Sequence, residues 1–210
     1  MKGLPVNVLE VENLVKEYRI PGQPPIRVLD GVTFSVAEGE HVAVMGRSGA
    51  GKTTLLNVLG GLDRPTSGKV RCAKNTGFVF QSFRLMPELT VLENVVLPSM
   101  SGSVHLPNAV DMAKELLLKV GLSERADHLP AELSGGEQQR VAIARALICQ
   151  PEIIFADETT GNLDAMTGSD ILRLLFEFSG KPFALVMVTH SSGAAAMCDR
   201  TLRLDGGRFV

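Results

Sequence analysis

The chain has 210 residues and a formal net charge of −2, and its composition is 45% hydrophobic and 21% charged. This length suffices for one substantial core, and the composition excludes a disordered or fibrous protein. No block of Lys and Arg residues favours DNA or RNA, so we expect no nucleic acid partner.

The apolar segments are too short to cross a membrane. A run such as 183–188 has the length of a strand, far below the ~18 residues that span a bilayer. The first residues contain no apolar segment followed by a small-residue cleavage site, so no export signal is predicted. We therefore expect a cytoplasmic protein without direct membrane insertion, which reaches a membrane only through a partner.

The first half of the chain predicts a small antiparallel sheet and then a buried strand. Residues 6–11 and 33–36 have the β-branched pattern of strands, and the Pro- and Gly-rich residues 21–25 predict a loop. Residues 41–45 are an apolar strand, and residues 52–59 have helical character up to a pair of glycines. The order of strand, glycine-rich turn and helix is the one that a phosphate site needs.

The second half alternates helical segments with buried strands. Helical spacing of apolar residues predicts helices over 107–121, 137–149 and 165–178. Residues 153–156 and 184–188 are apolar runs typical of strands buried on both faces. The alternation predicts a parallel sheet with crossover helices, and the tail at 202–209 predicts a hairpin.

The glycine-rich turn at 46–53, GRSGAGKT, fits the pattern G-x-x-x-x-G-K-[ST] in the required context between strand and helix. Its backbone N–H groups turn inward on phosphates, and the helix start adds partial positive charge. We expect Lys52 to reach the β- and γ-phosphates and the Thr53 hydroxyl to bind Mg²⁺. The alternative is a turn without a ligand, and the motif by itself indicates only a nucleoside triphosphate. The predicted nucleotide-binding residues are Gly46, Arg47, Ser48, Gly49, Ala50, Gly51, Lys52, Thr53 and Thr54.

Two acids follow the apolar strand at 153–156. Asp157 and Glu158 stand at its carboxyl end, where ligands bind in open parallel sheets. Asp157 suits the Mg²⁺ shell, and Glu158 suits polarisation of the water that attacks the γ-phosphate. The alternative is an acidic N-cap, although a cap needs no apolar strand before it. Two adjacent acids favour hydrolysis over simple binding.

A second anion-binding helix start is predicted at 133–140, LSGGEQQR. Ser134 and the amides of Gly135 and Gly136 are surplus in a chain with its own phosphate loop, unless they serve the ATP of another molecule. The alternative is a Ser N-cap with a flexible glycine pair. The segment, with Glu137, closely resembles the signature of ABC-transporter ATPases, which closes over the nucleotide held by the other subunit. The resemblance therefore implies a dimer of two copies around two ATP molecules.

Four further positions match that family, and the resemblance implies their roles. Tyr18 matches the aromatic that stacks on adenine, with ordinary packing as the alternative. Gln81 matches the glutamine that senses Mg²⁺ and the membrane partner. Asp164 belongs to the loop at 161–164 that crosses the dimer interface, and His190 matches the histidine that contacts the γ-phosphate. The implied catalytic residues are Glu158, His190 and Gln81, and the implied metal ligands are Thr53, Gln81 and Asp157.

The resemblance also implies a fold. It is an α/β P-loop NTPase with a RecA-like mixed sheet and flanking helices, an antiparallel β edge and an inserted helical subdomain. The chain is expected to be one ATP-binding domain, with its core at about 1–82 and 150–210 and the helical signature subdomain at about 83–149.

Two positions and one short segment depart from the family pattern. Thr159 stands where the family usually has Pro, and Ser191 stands where many relatives have Asp. Neither removes a group that handles phosphate or water, so we expect hydrolysis to survive with altered loop stiffness or rate. The segment at 68–77 is shorter than usual, which puts the local sheet edge in doubt.

Residues 59–68, 133–147 and 161–164 resemble the branch that contains lipoprotein-release, macrolide-export and cell-division ATPases. This implies a subunit that hydrolyses ATP with Mg²⁺ and drives a separate transmembrane permease, peripherally at the inner face of the cell membrane, in export or lipoprotein extraction. The alternative is a regulatory ATPase that gates a membrane partner without moving a substrate. A DNA-repair ATPase of this type needs a coiled-coil insertion, for which the interval before the signature has no room. The cargo itself is not readable from such a subunit.

The residues after Gln81 have two interpretations. They line a groove that accepts a short helix of the permease, or they pack inside the helical lobe. They are Phe83, Leu85, Met86, Leu89 and Val91.

Overall fold

The computed structural model describes residues 6–101, 106–159, 165–177 and 183–210. The strands are β1 (Asn7–Tyr18), β2 (Ile26–Ala37), β3 (His41–Met45), β4 (Ser67–Cys72), β5 (Thr76–Val79), β6 (Ile153–Asp157), β7 (Ala184–Val188), β8 (Arg200–Asp205) and β9 (Arg208–Phe209). The α-helices are α1 (Lys52–Leu59), α2 (Val91–Val96), α3 (Ala109–Lys119), α4 (Gly135–Leu147), α5 (Ala165–Glu177) and α6 (Ser192–Ala196). Short 3-10 helices lie at Leu97–Ser101, Ser123–Arg125 and Pro130–Glu132.

The central sheet is parallel except at its last strand. Its order is β5-β6-β7-β3-β8-β9, and β9 runs antiparallel to β8. All of β7 is buried, and so is β6 up to Ala156, because packed elements cover both faces of the sheet. The mixed sheet with its flanking helices confirms the predicted α/β fold class.

A second, antiparallel sheet has the order β2-β1-β4. The strands predicted at 6–11 and 33–36 are parts of two strands of 12 residues each. The pairing of β1 with β2 shifts register between Val11 and Leu14, where Asn13 has a φ of 48°. A bulge of this kind interrupts the alternation of buried and exposed residues. The alternation of apolar and polar residues in the sequence therefore stops at the bulge, although the strand continues to Tyr18.

The short segment at 68–77 still completes this sheet. β4 forms its edge, antiparallel to β1, and ends at Cys72. β5 then begins at Thr76 in the central sheet. The chain thus crosses from the edge of one sheet to the edge of the other within a few residues.

Two hydrophobic cores lie on opposite faces of the central sheet. Ile153 and Phe155 of β6 belong to the core shared with β1, β2 and α1. Ile154 and Ala156 belong to the core shared with α2, α3, α4 and α5, because alternate residues of a strand face opposite ways. The helices of the segment 83–149 therefore share a core with the sheet, and the division into two subdomains stays a prediction.

The predicted helices occur with ends shifted by one or two residues. α4 begins at Gly135 rather than at residue 137 and ends at Leu147 rather than at 149. Its start is earlier because Ser134 is the N-cap, which places the glycine pair inside the first turn. In the ranges that the structure describes, the helices all lack the length and apolar character of a membrane span.

We expect Gly60→Ala to destabilise the fold by about 1–3 kcal/mol through overpacking. A Cβ at Gly60 would lie 1.8 Å from the Phe78 ring. That ring has little room to yield, because it stacks on Phe80 and lies tilted against Phe155, with ring centroids 5.3 Å away in both cases. Urea unfolding measures the loss. Gly193→Ala is the matched control, since its Cβ would meet only the Ser191 Oγ at 3.6 Å, and equal midpoints for the two variants would contradict this account.

Candidate functional site

The glycine-rich loop turns tightly between β3 and α1. Gly51 is the N-cap of α1 with φ 98° and ψ 10°, a left-handed conformation that favours glycine. A Cβ at Gly51 would lie 2.9 Å from the Val28 carbonyl oxygen, and one at Gly46 would lie 2.3 Å from the Leu204 carbonyl oxygen. The loop is therefore pressed between β2 and β8, and at these two positions only glycine fits without a shift of the neighbouring backbone.

Lys52 folds back over this loop. Its side-chain Nζ donates to the carbonyl oxygens of Gly46 and Arg47, both at 3.0 Å. The residue is only 5% exposed, so its charge is held close to the loop instead of in bulk solvent. A buried ammonium at a helix start makes the interior of the loop favourable for an anion.

The acids at the end of β6 lie beside the loop because of strand register. Val188 of β7 pairs with Asp157 on one side and with Val44 of β3 on the other. Burial raises the pKa of Asp157, a hydrogen bond with the Thr53 hydroxyl opposes that rise, and the neighbouring Glu158 carboxylate adds to it. The first residues of α1 and the end of β6 are thus in direct contact.

Glu158 and His190 meet at the mouth of the site. Glu158 has a left-handed φ of 42°, and its Oε1 lies 2.8 Å from the His190 Nε2. The same Nε2 lies 3.2 Å from the Lys52 Nζ. One ring nitrogen cannot both donate to a carboxylate and accept from an ammonium, so only one of these contacts is a hydrogen bond at a time. The three side chains form a cluster whose protons can be rearranged.

A cavity of about 440 Å³ joins these groups, which is a size typical of small-molecule sites. It brings together the phosphate loop, Gln81, Glu158 and His190, and their roles in the site stay predictions. Its wall also includes Val28, which the sequence analysis missed because β2 is remote from the motif. The lining residues are Val28, Ser48, Gly49, Gly51, Lys52, Thr53, Thr54, Gln81, Glu158 and His190.

Two oxygen donors in this region suit a hard divalent cation such as Mg²⁺. The Thr53 hydroxyl and the Asp157 carboxylate are hydrogen-bonded to each other, and Mg²⁺ takes few protein ligands beside phosphate and water oxygens. The described part of the chain holds no group of three or more His, Cys, Asp and Glu residues that would form an all-protein metal site. The donor set therefore fits a metal bound together with a phosphate.

Tyr18, another predicted site residue, does not line this cavity. Tyr18 is at the end of β1, where its hydroxyl donates to the Asp63 Oδ2 at 2.9 Å and its ring lies 4.8 Å from the Lys16 Nζ. Asp164, with the rest of the loop 161–164, lies outside the described residues. Stacking of Tyr18 on adenine stays a prediction.

The signature segment forms an exposed helix start. The Ser134 Oγ accepts from the Glu137 amide at 3.3 Å, and the Ser134 amide donates to the Glu137 Oε2 at 2.9 Å, which is a capping box. The Ser134 hydroxyl also lowers the pKa of Glu137, and so does the nearby Arg125. Ser134 and Gly135 are exposed, and the phosphate-loop cavity of the same chain does not reach them. The second anion-binding helix start therefore faces outward.

Of the two substitutions that depart from the family pattern, Ser191 has a local explanation and Thr159 has none. Ser191 is the N-cap of α6, and its Oγ accepts from the Ala194 amide at 3.2 Å. Thr159 is 4% exposed, and within the described residues its hydroxyl has no hydrogen-bond partner. Nothing in the structure explains why a hydroxyl stands at that position.

Val91 fits the second interpretation of the residues after Gln81, which is packing inside the helical lobe. Val91 is fully buried in the core shared with α4, because it begins α2 with its side chain facing inward, so it cannot line an open groove. Leu85 packs partly against the same core. Met86 is 46% exposed, and it stays a candidate contact for a partner.

Comparison with known proteins gives consistent results. The family described as ABC transporter matches residues 29–161, more than half of the chain. The chain is 45% identical to the lipoprotein-releasing system ATP-binding protein LolD 2 of Chlorobaculum tepidum, over 96% of this chain and 91% of that protein. It is 46% identical to the ABC transporter ATP-binding protein YbbA of Escherichia coli K12, over 97% and 96% of the two chains.

A solved structure is similar throughout. It is a dimeric ATP-binding cassette in a post-hydrolysis state bound to ADP and Pi, with a TM-score of 0.83, 40% identity and coverage of 96% of both chains. The alignments with the two relatives run over 225 and 221 positions, more than the 210 residues of this chain. These relatives therefore carry residues that are absent here.

We expect Asp157→Asn to raise the thermal stability of the nucleotide-free protein at neutral pH. The folded pKa lies above the ordinary value, so the favourable contribution of the protonated carboxyl is present at low pH and lost as the pH rises through the folded pKa. Asparagine removes the buried charge. Each kcal/mol gained corresponds to about 2–4 °C in a chain of this size.

Scanning calorimetry at pH 7 and near pH 4 measures this effect. The gap between variant and wild type should close at the lower pH, where the wild-type carboxyl becomes protonated. Asp170→Asn, at an exposed position of α5, is the control and should leave the Tm unchanged. A Tm for Asp157→Asn at or below wild type at pH 7 would refute the prediction.

Proposed function

This chain belongs to the ABC transporter family of ATP-hydrolysing subunits, and we propose that two copies enclose two ATP molecules and drive a separate membrane permease. The observation that supports the dimer is the exposed helix start at Ser134, which is built for an anion and stands apart from the cavity of its own chain. A second anion site serves the reaction if it completes the phosphate cavity of another copy.

The phosphate loop binds the triphosphate of ATP. Lys52, which donates to two loop carbonyls without nucleotide, exchanges those contacts for phosphate oxygens, which are stronger acceptors. Thr53 and Asp157 would hold Mg²⁺, and the cation would supply positive charge that offsets the negative charge of the phosphates. Gln81 lines the same cavity, where it contributes to the metal shell, and Tyr18 stacks on the adenine.

Glu158 acts as the general base. Its carboxylate lies at the cavity wall and contacts His190, so it can polarise a water molecule at the γ-phosphate. His190 holds Glu158 in place before nucleotide binds and then donates to the γ-phosphate. Burial is the main cause of the raised pKa of the neighbouring Asp157, and the Glu158 carboxylate adds to it. A bound cation would relieve the repulsion between the two acids.

We infer the class of membrane partner and of cargo from the names of the relatives. A relative at 45% identity is named as the ATP-binding protein of a lipoprotein-releasing system. We propose the same function for this chain, which is the extraction of lipoproteins from the inner membrane through a permease. The partner contacts the segment after Gln81, where Met86 is exposed. The subunit itself stays peripheral at the cytoplasmic face, and Asp164 crosses the interface between the two copies.

Glu158→Gln should lower the ATP turnover number by about 10²-fold or more, because the amide cannot accept a proton from water. The nucleotide site stays intact, so the variant should accumulate as an ATP-bound dimer. Phosphate release measures turnover, and light scattering with size-exclusion chromatography measures the dimer. Glu152→Gln, an exposed acid just before the same strand, should behave as wild type. Undiminished hydrolysis by Glu158→Gln would exclude the role of the general base.

Mixing two inactive variants tests the composite site. Lys52→Ala disables the phosphate loop, and Ser134→Asp keeps an N-cap but sets a negative charge against the γ-phosphate. Each variant alone should hydrolyse ATP poorly. A mixture should recover about a quarter of the wild-type rate, because half of the randomly formed dimers are heterodimers with one intact site. If the mixture recovers nothing while both variants still dimerise, the signature does not act on the partner's nucleotide.

A further inference from the structure

The backbone just after Gln81 adopts an unfavourable conformation. Phe83 and Arg84 are consecutive non-glycine residues with φ of 58° and 49°. L-residues rarely adopt left-handed conformations, and such conformations persist only where surrounding contacts impose them. The contacts that impose this one come from a helix that is distant in the sequence.

Arg145, near the end of α4, supplies those contacts. Its Nη2 donates to the Phe83 carbonyl oxygen at 2.6 Å, and its Nη1 donates to the Arg84 carbonyl oxygen at 2.5 Å. Burial lowers the pKa of Arg145 and the nearby Arg84 lowers it further, and in the described part of the chain no carboxylate is paired with it. Its guanidinium is therefore committed to two backbone carbonyls that only a left-handed turn brings side by side.

Other contacts hold the two ends of this turn. The Arg84 guanidinium lies 4.1 Å from the Phe80 ring centroid, and the Phe83 amide donates to the Phe80 carbonyl at 3.2 Å. Further along, the fully buried Asn94 of α2 accepts from the Met86 amide at 2.8 Å. The same side chain donates to the carbonyl oxygens of Met86, Leu89 and Thr90. The segment from Phe80 to Thr90 is thus pinned to α4 near Gln81 and to α2 at its far end.

We propose that Arg145 is a positioning residue. It holds the segment 80–86, here called the Gln81 loop, against α4, the helix that begins with the signature. α4 carries Ser134 at its cap and Arg145 eleven residues later on one helix of 13 residues. A displacement of this helix therefore moves the exposed anion site and the Gln81 loop together. This coupling between the signature and the Gln81 loop rests on the proposed function, because it affects hydrolysis only if one nucleotide is bound between two copies.

A lysine cannot replace this contact. Both carbonyls are reached by the two nitrogens of one planar guanidinium, whereas an ammonium is a single point of donation. Arg145→Lys therefore keeps the positive charge and much of the buried aliphatic chain, but it removes the paired hydrogen bonds to the two carbonyls. The loop should then relax toward ordinary backbone conformations.

Hydrogen–deuterium exchange of the full-length, nucleotide-free protein tests the lock. In Arg145→Lys, the amides of residues 80–86 should exchange about tenfold faster than in wild type, because the local opening becomes easier. Arg200→Lys is the matched control, since the Arg200 Nη2 also donates to a backbone carbonyl, that of Ser35 at 2.7 Å, away from residues 80–86. Equal exchange of residues 80–86 in Arg145→Lys and wild type, with both folded by thermal denaturation, overturns the proposal.

Steady-state kinetics tests whether the lock serves the reaction. Arg145→Lys should lower kcat about tenfold with a KM for ATP within about twofold of wild type, because misplacement of a site residue costs rate more than binding. Arg200→Lys should keep both constants. A changed exchange rate with an unchanged kcat overturns the positioning role. If wild-type protein shows no ATP turnover, the proposed function fails, and the exchange experiment still decides whether Arg145 holds the loop.

Discussion

The site depends on the register of the parallel strands. Val188 of β7 pairs with both Val44 and Asp157, and Ala156 of β6 pairs with Val79, so β3, β5, β6 and β7 end at one edge of the sheet. Each of these strands is followed directly by a segment that carries polar chemistry. Because both faces of β6 and β7 are buried, a slip of one residue would exchange the two cores. Apolar packing therefore sets the relative positions of the loop, the acids and the histidine.

The polar groups at that edge are held at a cost to stability. Lys52 is buried against carbonyl oxygens, and Asp157 is partly buried beside a second acid. In the proposed nucleotide site, phosphates and a cation would complete the pairing of these groups. A site that is preorganised in this way loses little energy to rearrangement when the ligand binds. The same arrangement explains why a substitution that harms activity can stabilise the nucleotide-free protein.

The sequence predicted the parts of the structure that rest on local patterns. The phosphate loop, the acids after β6 and the capped start of α4 each depend on adjacent residues, and each was located to within two residues. Contacts between remote segments left no local signal. Arg145 reaches carbonyls 61 and 62 positions away, and Val91 has the same apolar character whether it faces a groove or the core. The direction of the Tyr18 side chain was equally hidden, since its partner Asp63 lies 45 positions away.

The two anion-binding features of the chain differ in a way that bears on regulation. The phosphate loop is recessed, and its lysine already has oxygen partners, so it can bind a nucleotide in a single copy. The signature start at Ser134 is exposed and its capping box is complete, so it needs no rearrangement to receive a phosphate from outside. Under the proposed function, assembly of two copies is the step that completes the reaction site. A membrane partner that contacts the segment held by Arg145 and Asn94 would then act on that step through α4, to which Arg145 joins the segment.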